Sequence, residues 1–209
     1  KIVEHMFYSF QLFVNRLLSD LYYTLEFLFV VTFFSSTILG IYSLAWVVIT
    51  PFRGAIGTII DMVERQMVFE SGKSSKSDYK KYFSINFLLY SIIVSITIGI
   101  LTLLLSFIIP ILLPEFLETV NIVTFVFIDA FFIFHISFFM SYLNSQSLFL
   151  ERNKAFFLGL LSKILLFTII LYSNLEFSIV ALACGLSSMI IFVSISHVSL
   201  KDIYGLNFS

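Results

Sequence analysis

Residues Tyr82 to Pro114 form thirty-three consecutive positions without Asp, Glu, Lys or Arg: YFSINFLLYSIIVSITIGILTLLLSFIIPILLP. A bilayer's hydrocarbon core is about 30 Å thick, and a helix of ~20 apolar residues crosses it. This run is long enough to cross and carries nothing that must stay in water. Phe27–Phe52, Ala130–Leu150 and Phe177–Leu200 lack the same four residue types. Charged residues make up 12% of the chain, against roughly 25% in a soluble domain. That leaves too little charge to cover a water-facing surface. The 27 Phe and 10 Tyr suit lipid instead.

Six segments follow: Phe10–Phe34, Ile38–Ile60, Phe83–Leu113, Leu117–Leu143, Ala155–Tyr172 and Phe177–Val198. Each is too long for the short alternating strands of a membrane β-barrel. A span must satisfy its own backbone hydrogen bonds, so the expected fold is all-α, a polytopic bundle of six transmembrane helices. The whole chain, 1–209, reads as a single six-helix lobe. The connections alternate in charge. Glu70–Lys81 holds Lys73, Lys76, Lys80 and Lys81, Glu151–Lys154 holds Arg152 and Lys154, and the tail holds Lys201. Ser35–Thr37, Pro114–Glu115 and Ser173–Glu176 hold no Lys or Arg. Lys and Arg concentrate in cytoplasmic loops. The expected location is therefore the inner (cytoplasmic) membrane, with both termini in the cytoplasm.

No catalytic signature is present. His5, His135 and His197 are far apart and Cys184 has no partner thiol, so no metal site is expected. No G-x-x-x-x-G-K-[ST] loop occurs. No cofactor and no nucleic-acid partner are called for. Cys184 reads as a small packing residue. Gly54 and Gly57 read as small surfaces for helix packing, and the Ser/Lys-rich tract Ser71–Ser77 as a solvated turn.

The informative residues are ionisable groups within spans. Each costs a few kcal/mol in hydrocarbon and should face protein or a wet cavity. Arg16 and Asp20, four apart, share a helix face and can neutralise each other. Glu26 has no opposite charge three or four residues away. Arg53 follows Pro51, where a kink could turn it inward. Asp61, Glu64 and Arg65 sit near a wetted helix end. Asp129 and His135 are six residues apart, about 120° around a helix, and so lie on different faces. Lys163 is placed to snorkel to the cytoplasmic interface. The candidates are Arg16, Arg53 and Asp20 for a substrate cavity, and Glu26, Asp129 and His135 for ion coupling.

Glu26 precedes Gly40-Ile-Tyr-Ser-Leu-Ala45 by fourteen residues. That arrangement resembles the polysaccharide flippases of the MATE-like superfamily, the multidrug/oligosaccharidyl-lipid/polysaccharide exporters. In those proteins an acidic residue and a Gly-x-Tyr-Ser-x-Ala step join the first two helices of a lobe. Leu113–Ile122 is similar to the family's approach to its fourth helix, and Phe177–Ser187 to its small-residue sixth-helix opening. The chain departs from the pattern in having Glu rather than Asp at 26 and Leu113 in place of Gly. The resemblance implies movement of a lipid-linked oligosaccharide, of the kind used in polysaccharide or lipopolysaccharide biosynthesis, by alternating access rather than enzyme catalysis. It implies as partners the bilayer, the lipid-linked substrate and a second six-helix lobe, in the same full-length protein or a homodimer. Size and the missing initiator Met fit a fragment of a longer protein. Two alternatives stay open: an integral-membrane enzyme of cell-surface polysaccharide or lipid assembly, such as a polymerase or acyltransferase, or the membrane half of an ATP-driven exporter.

Overall fold

The computed structural model describes residues 2–73, 75–112, 114, 119–173 and 177–205. Six helices account for nearly all of them: α1 (Ile2–Phe33), α2 (Ser36–Lys73), α3 (Lys76–Leu112), α4 (Thr119–Ser145), α5 (Phe149–Ser173) and α6 (Ser178–Tyr204). Five are long and apolar enough to cross a membrane, α2 to α6. α1 is 32 residues long but is not among the five, because Arg16, Asp20 and Glu26 interrupt its apolar run. The fold class is all-α and membrane-like, with α1 the helix whose sequence least dictates that setting.

α4 is the hub. It packs along α6, α2 and α3, while α6 packs on α5 and α5 on α1. α1 and α2 touch little despite being consecutive. They meet at the short link after Phe33 and otherwise lie on different neighbours, so a cleft separates them. α6 can lie close to α4 because its facing side is small: Ala181, Cys184, Gly185 and Ser188 are buried. A Cβ on Gly185 would sit 3.4 Å from Ile128 and 3.6 Å from the Asp129 backbone nitrogen. The other tight approach is Gly159, where a Cβ would fall 2.2 Å from Ile191. Gly54 and Gly57, expected as packing surfaces, have nothing within 4 Å of a Cβ. They face open space because α2 uses other positions, including Ile49, Ile56 and Ile60, to bury itself.

The expected solvated turn, Ser71–Ser77, is exposed at its described side chains but shorter than the tract. α2 continues to Lys73 and α3 starts at Lys76. Helix propensity does not fail where a span leaves lipid, and water satisfies exposed charges along the extension. The start of α3 is fixed by Ser75. Its Oγ accepts from the Asp78 N–H at 3.2 Å and donates to Asp78 Oδ2 at 2.6 Å. This N-cap with an acidic third residue is legible in the string Ser75-Lys-Ser-Asp78. The α4–α5 turn is equally tight. Leu148 N–H donates to Leu143 O at 2.8 Å and Ser147 N–H to Asn144 O at 3.0 Å, with Ser147 in the left-handed region at φ 58°. This is the Schellman pattern.

The outward faces carry Leu88, Ile92, Ile96, Leu103, Phe107 and many similar side chains, all exposed. Such a surface is stable only against other apolar groups. The chain is a multi-pass membrane protein.

Candidate functional site: a polar cluster inside the bundle and a charged groove beside it

Three helices bring polar groups to one depth. Asp129 lies ten residues from the start of α4 and Lys163 ten residues from the end of α5. Ser188 lies ten residues into α6. At 1.5 Å per residue each is ~15 Å from helix ends on the same side, half of a ~30 Å hydrocarbon core. Tyr22 and Glu26 of α1 join them from the fourth side.

The contacts form a chain. Lys163 Nζ donates to Glu26 Oε2 at 3.1 Å and to the Tyr22 carbonyl oxygen at 3.2 Å. The ammonium also sits 3.7 Å from the Tyr22 ring centre. The Tyr22 hydroxyl and Ser188 Oγ are 2.7 Å apart, and Ser188 Oγ donates to Asp129 Oδ1 at 2.5 Å. Cys184 lies one turn before Ser188 and is buried. Asp129 Oδ2 has no hydrogen-bond partner. Glu26 pairs directly with the ammonium, and Asp129 joins the cluster through Ser188 and Tyr22.

Lys163 does not snorkel. Its side chain is 0% exposed and that of Glu26 is 5% exposed. The opposite charge that Glu26 lacks along its own helix comes from α5. Coulombic attraction between them is far stronger in the interior than the reach to an interface would be in water. Cys184 is buried, as its packing role requires.

The other candidates separate. Arg16 and Asp20 do pair, at 3.9 Å, but with side chains 87% and 70% exposed. They lie on the outer face of α1 and line none of the cavities described below. His135 is buried on a different face from Asp129. Its Nδ1 bonds the Phe131 carbonyl oxygen at 2.8 Å, and Phe87, Tyr90, Phe131 and Phe192 surround the ring. It is packed by aromatic groups and remote from the two carboxylates.

Arg53 sits in the α1–α2 cleft. Its guanidinium lies 4.8 Å from the Tyr23 ring centre. It lines a cavity of about 240 Å³ with Tyr23, Glu26, Phe27, Tyr42 and Trp46. It also lines a second, of about 260 Å³, that runs along α2 and α4 past Asp61, Glu64, Ser137, Ser141 and Asn144. Arg53 lines both cavities. Among the described residues no carboxylate lies within ion-pair distance of Arg53. The Tyr42 hydroxyl, on a residue only 1% exposed, also has no partner.

A second polar cluster closes the basic end. Arg152 donates to the side-chain oxygens of Asn144 and Asn15. Asn15 Nδ2 donates to Asn153 Oδ1 at 2.8 Å, and Asn144 Nδ2 to Glu64 Oε1 at 3.2 Å. This network ties α1, α2, α4 and α5 together. Asn15 could have been suspected from sequence, as an amide within an apolar run. Arg152 looked like an ordinary loop cation. Glu64 is half-buried and bonded, whereas the exposed Asp61 and Arg65 fit the expected wetted end.

Among the described residues no group of three His, Cys, Asp or Glu could hold a metal ion. No protein-family model, curated protein or solved structure matches this chain.

Proposed function

We propose that this chain is a six-helix transport lobe of the cytoplasmic membrane that moves a lipid-linked oligosaccharide or polysaccharide precursor by alternating access. In this reading α1 is the sixth span, with Glu26 paired to Lys163 of α5. The observation that carries the reading is the α1–α2 groove, with the unpaired Arg53 at its centre. A charge at that position is costly in lipid, so the groove faces water, a ligand or a second lobe. The buried Glu26–Lys163–Asp129 cluster behind it is the part that could respond to a cation. The substrate class rests on the resemblance of Gly40–Ala45 and its neighbours to polysaccharide flippases. Both termini and the links at 74–75 and 146–148 are cytoplasmic in this reading, because no Lys or Arg occupies the links at the other end.

A translocation assay tests it. The protein is reconstituted, as a homodimer or with its second lobe, in vesicles holding a lipid-linked oligosaccharide. An impermeant glycosidase then cleaves whatever sugar reaches the outer leaflet. Cleavage should proceed past the fraction initially outside, and Arg53→Gln should slow it at least tenfold. Cleavage that stops at the initial outside fraction would sink the proposal.

A further inference from the structure

We infer that a cavity at the basic end of the bundle holds the headgroup of a zwitterionic bilayer lipid, with its phosphate on Lys80 and its primary ammonium on Asp202. The cavity shares no lining residue with the two that Arg53 lines, and the inference does not rest on the transport reading.

Four helices begin or end there. Ser71 of α2, Tyr79 and Lys80 of α3, Tyr142 of α4, Gln146 just beyond it and Asp202 of α6 line a cavity of about 310 Å³. The uncharged runs place it at the membrane surface. That of α3 begins at Tyr82 and that of α6 ends at Leu200. Lys80 and Asp202 each stand two residues outside their run, ~3 Å along the helix. Lipid headgroups occupy that level.

The cavity holds opposite charges that do not neutralise each other. Lys80 and Asp202 both line it, yet they form no ion pair with one another. Each is held by a neighbour instead. Lys80 Nζ rests 5.5 Å from the Tyr204 ring centre, and the Tyr204 hydroxyl is 2.5 Å from Ser84 Oγ. The Tyr142 hydroxyl donates to Asp202 Oδ2 at 2.5 Å, which leaves Oδ1 for a ligand. Two further acceptors line the same space. Ser71 Oγ spends its proton on the Val68 carbonyl oxygen at 2.8 Å and keeps its lone pairs. Gln146 donates Nε2 to Ser145 Oγ at 3.3 Å and keeps its carbonyl oxygen. These three acceptors match the three N–H bonds of a primary ammonium, and a trimethylated one has none to give. An anion without an ammonium would leave Asp202 uncompensated, and a cation without a phosphate would leave Lys80 so. The volume is near the ~300 Å³ lower end of ligand pockets, which suits a headgroup whose tails stay in the bilayer.

The protein is placed in phosphatidylcholine nanodiscs containing increasing phosphatidylethanolamine, its mono- and dimethylated forms, or phosphatidylglycerol. Native mass spectrometry counts the lipid each chain retains. Phosphatidylethanolamine should saturate at one molecule per chain, at least fivefold in preference to phosphatidylcholine. Retention should fall with each methyl group, and phosphatidylglycerol should show no such saturation. Asp202→Asn should bring phosphatidylethanolamine down to the level of phosphatidylcholine. Lys80→Gln, which spares the Tyr142–Asp202 contact, should lower its retention at least fivefold. The methylation series needs no substitution, so it decides the question even where a variant fails to fold. Equal retention of phosphatidylethanolamine and phosphatidylcholine by the unaltered protein, or a folded variant with the preference intact, overturns the inference. Displacement of the bound lipid by micromolar glycerophosphoethanolamine would assign the cavity to a free solute and overturn it too. Failure in the translocation assay would leave this site standing, and failure here would leave the transport reading standing.

Discussion

Lys163 is the side chain on which the interior depends. Alone at that depth it would be a buried ammonium, and Glu26 alone a buried carboxylate. Removing one member of a buried pair costs about 3–5 kcal/mol, because the other charge stays behind uncompensated. Lys163→Met and Glu26→Gln should each lower membrane abundance and thermal stability in detergent. The double variant should recover most of the loss, since both charges leave together. Additive losses in a thermal-shift series would show that the two do not act as a pair. Asp129 differs. Its Oδ1 is bonded and its Oδ2 is not, so Asp129→Asn keeps the shape and a Ser188 contact. We expect it to retain near-normal abundance. In the translocation assay it should lose more activity than it loses protein, and equal losses of both would reduce Asp129 to a structural role.

At the level of elements, two local features set how helices meet. Ser147 holds a left-handed backbone, at φ 58°, which a side chain resists by about 1–2 kcal/mol. Ser147→Gly should therefore raise stability by ~1 kcal/mol, read as a higher melting temperature, with no change in fold. Unchanged or lower melting would mean that the turn is not under strain. Gly159 is the opposite case. Ile191 is fully buried and stands where a Cβ would be, so Gly159→Ala should cost about 1–3 kcal/mol through overpacking. Ile191→Ala added to it should return part of that loss. The same helices show what a sequence can and cannot disclose. Apolar runs located all six helices, and Asp129 and His135 fell on different faces, as their spacing requires. The extension of α2 to Lys73 went unread, because polar composition looks the same in a loop and in a helix that has left the bilayer. The Ser75 cap was readable there and marks the true break. Glu26 and Lys163 are 137 residues apart. No periodicity along either helix could join them, so their partnership depends on α1 lying along α5, which only the assembled bundle fixes. The pairing of Arg152 with Asn15 was hidden by the same separation, while Arg16 and Asp20 form a local, exposed pair.

The links at one end of the bundle hold no Lys or Arg, and this gives an orientation test. Cys184 is buried and should remain silent to an impermeant thiol reagent. A cysteine at Ser36 should be labelled in intact cells, and one at Ser75 only after permeabilisation. The reverse pattern would invert the topology. Asn174, which falls outside the described residues, is a further position whose labelling checks the same orientation.

The Glu26–Lys163 pair has an electrical consequence. A charge moved through the full membrane field exchanges ~2.3 kcal/mol per 100 mV. The pair carries no net charge, so any motion in which α1 and α5 travel together leaves the field nothing to act on. Arg53 has no such companion among the described residues. A displacement of α2 against the other helices would carry its positive charge through whatever fraction of the potential it crosses. Voltage would then bias the arrangement of the α1–α2 cleft while leaving the ion pair at the bilayer midplane untouched.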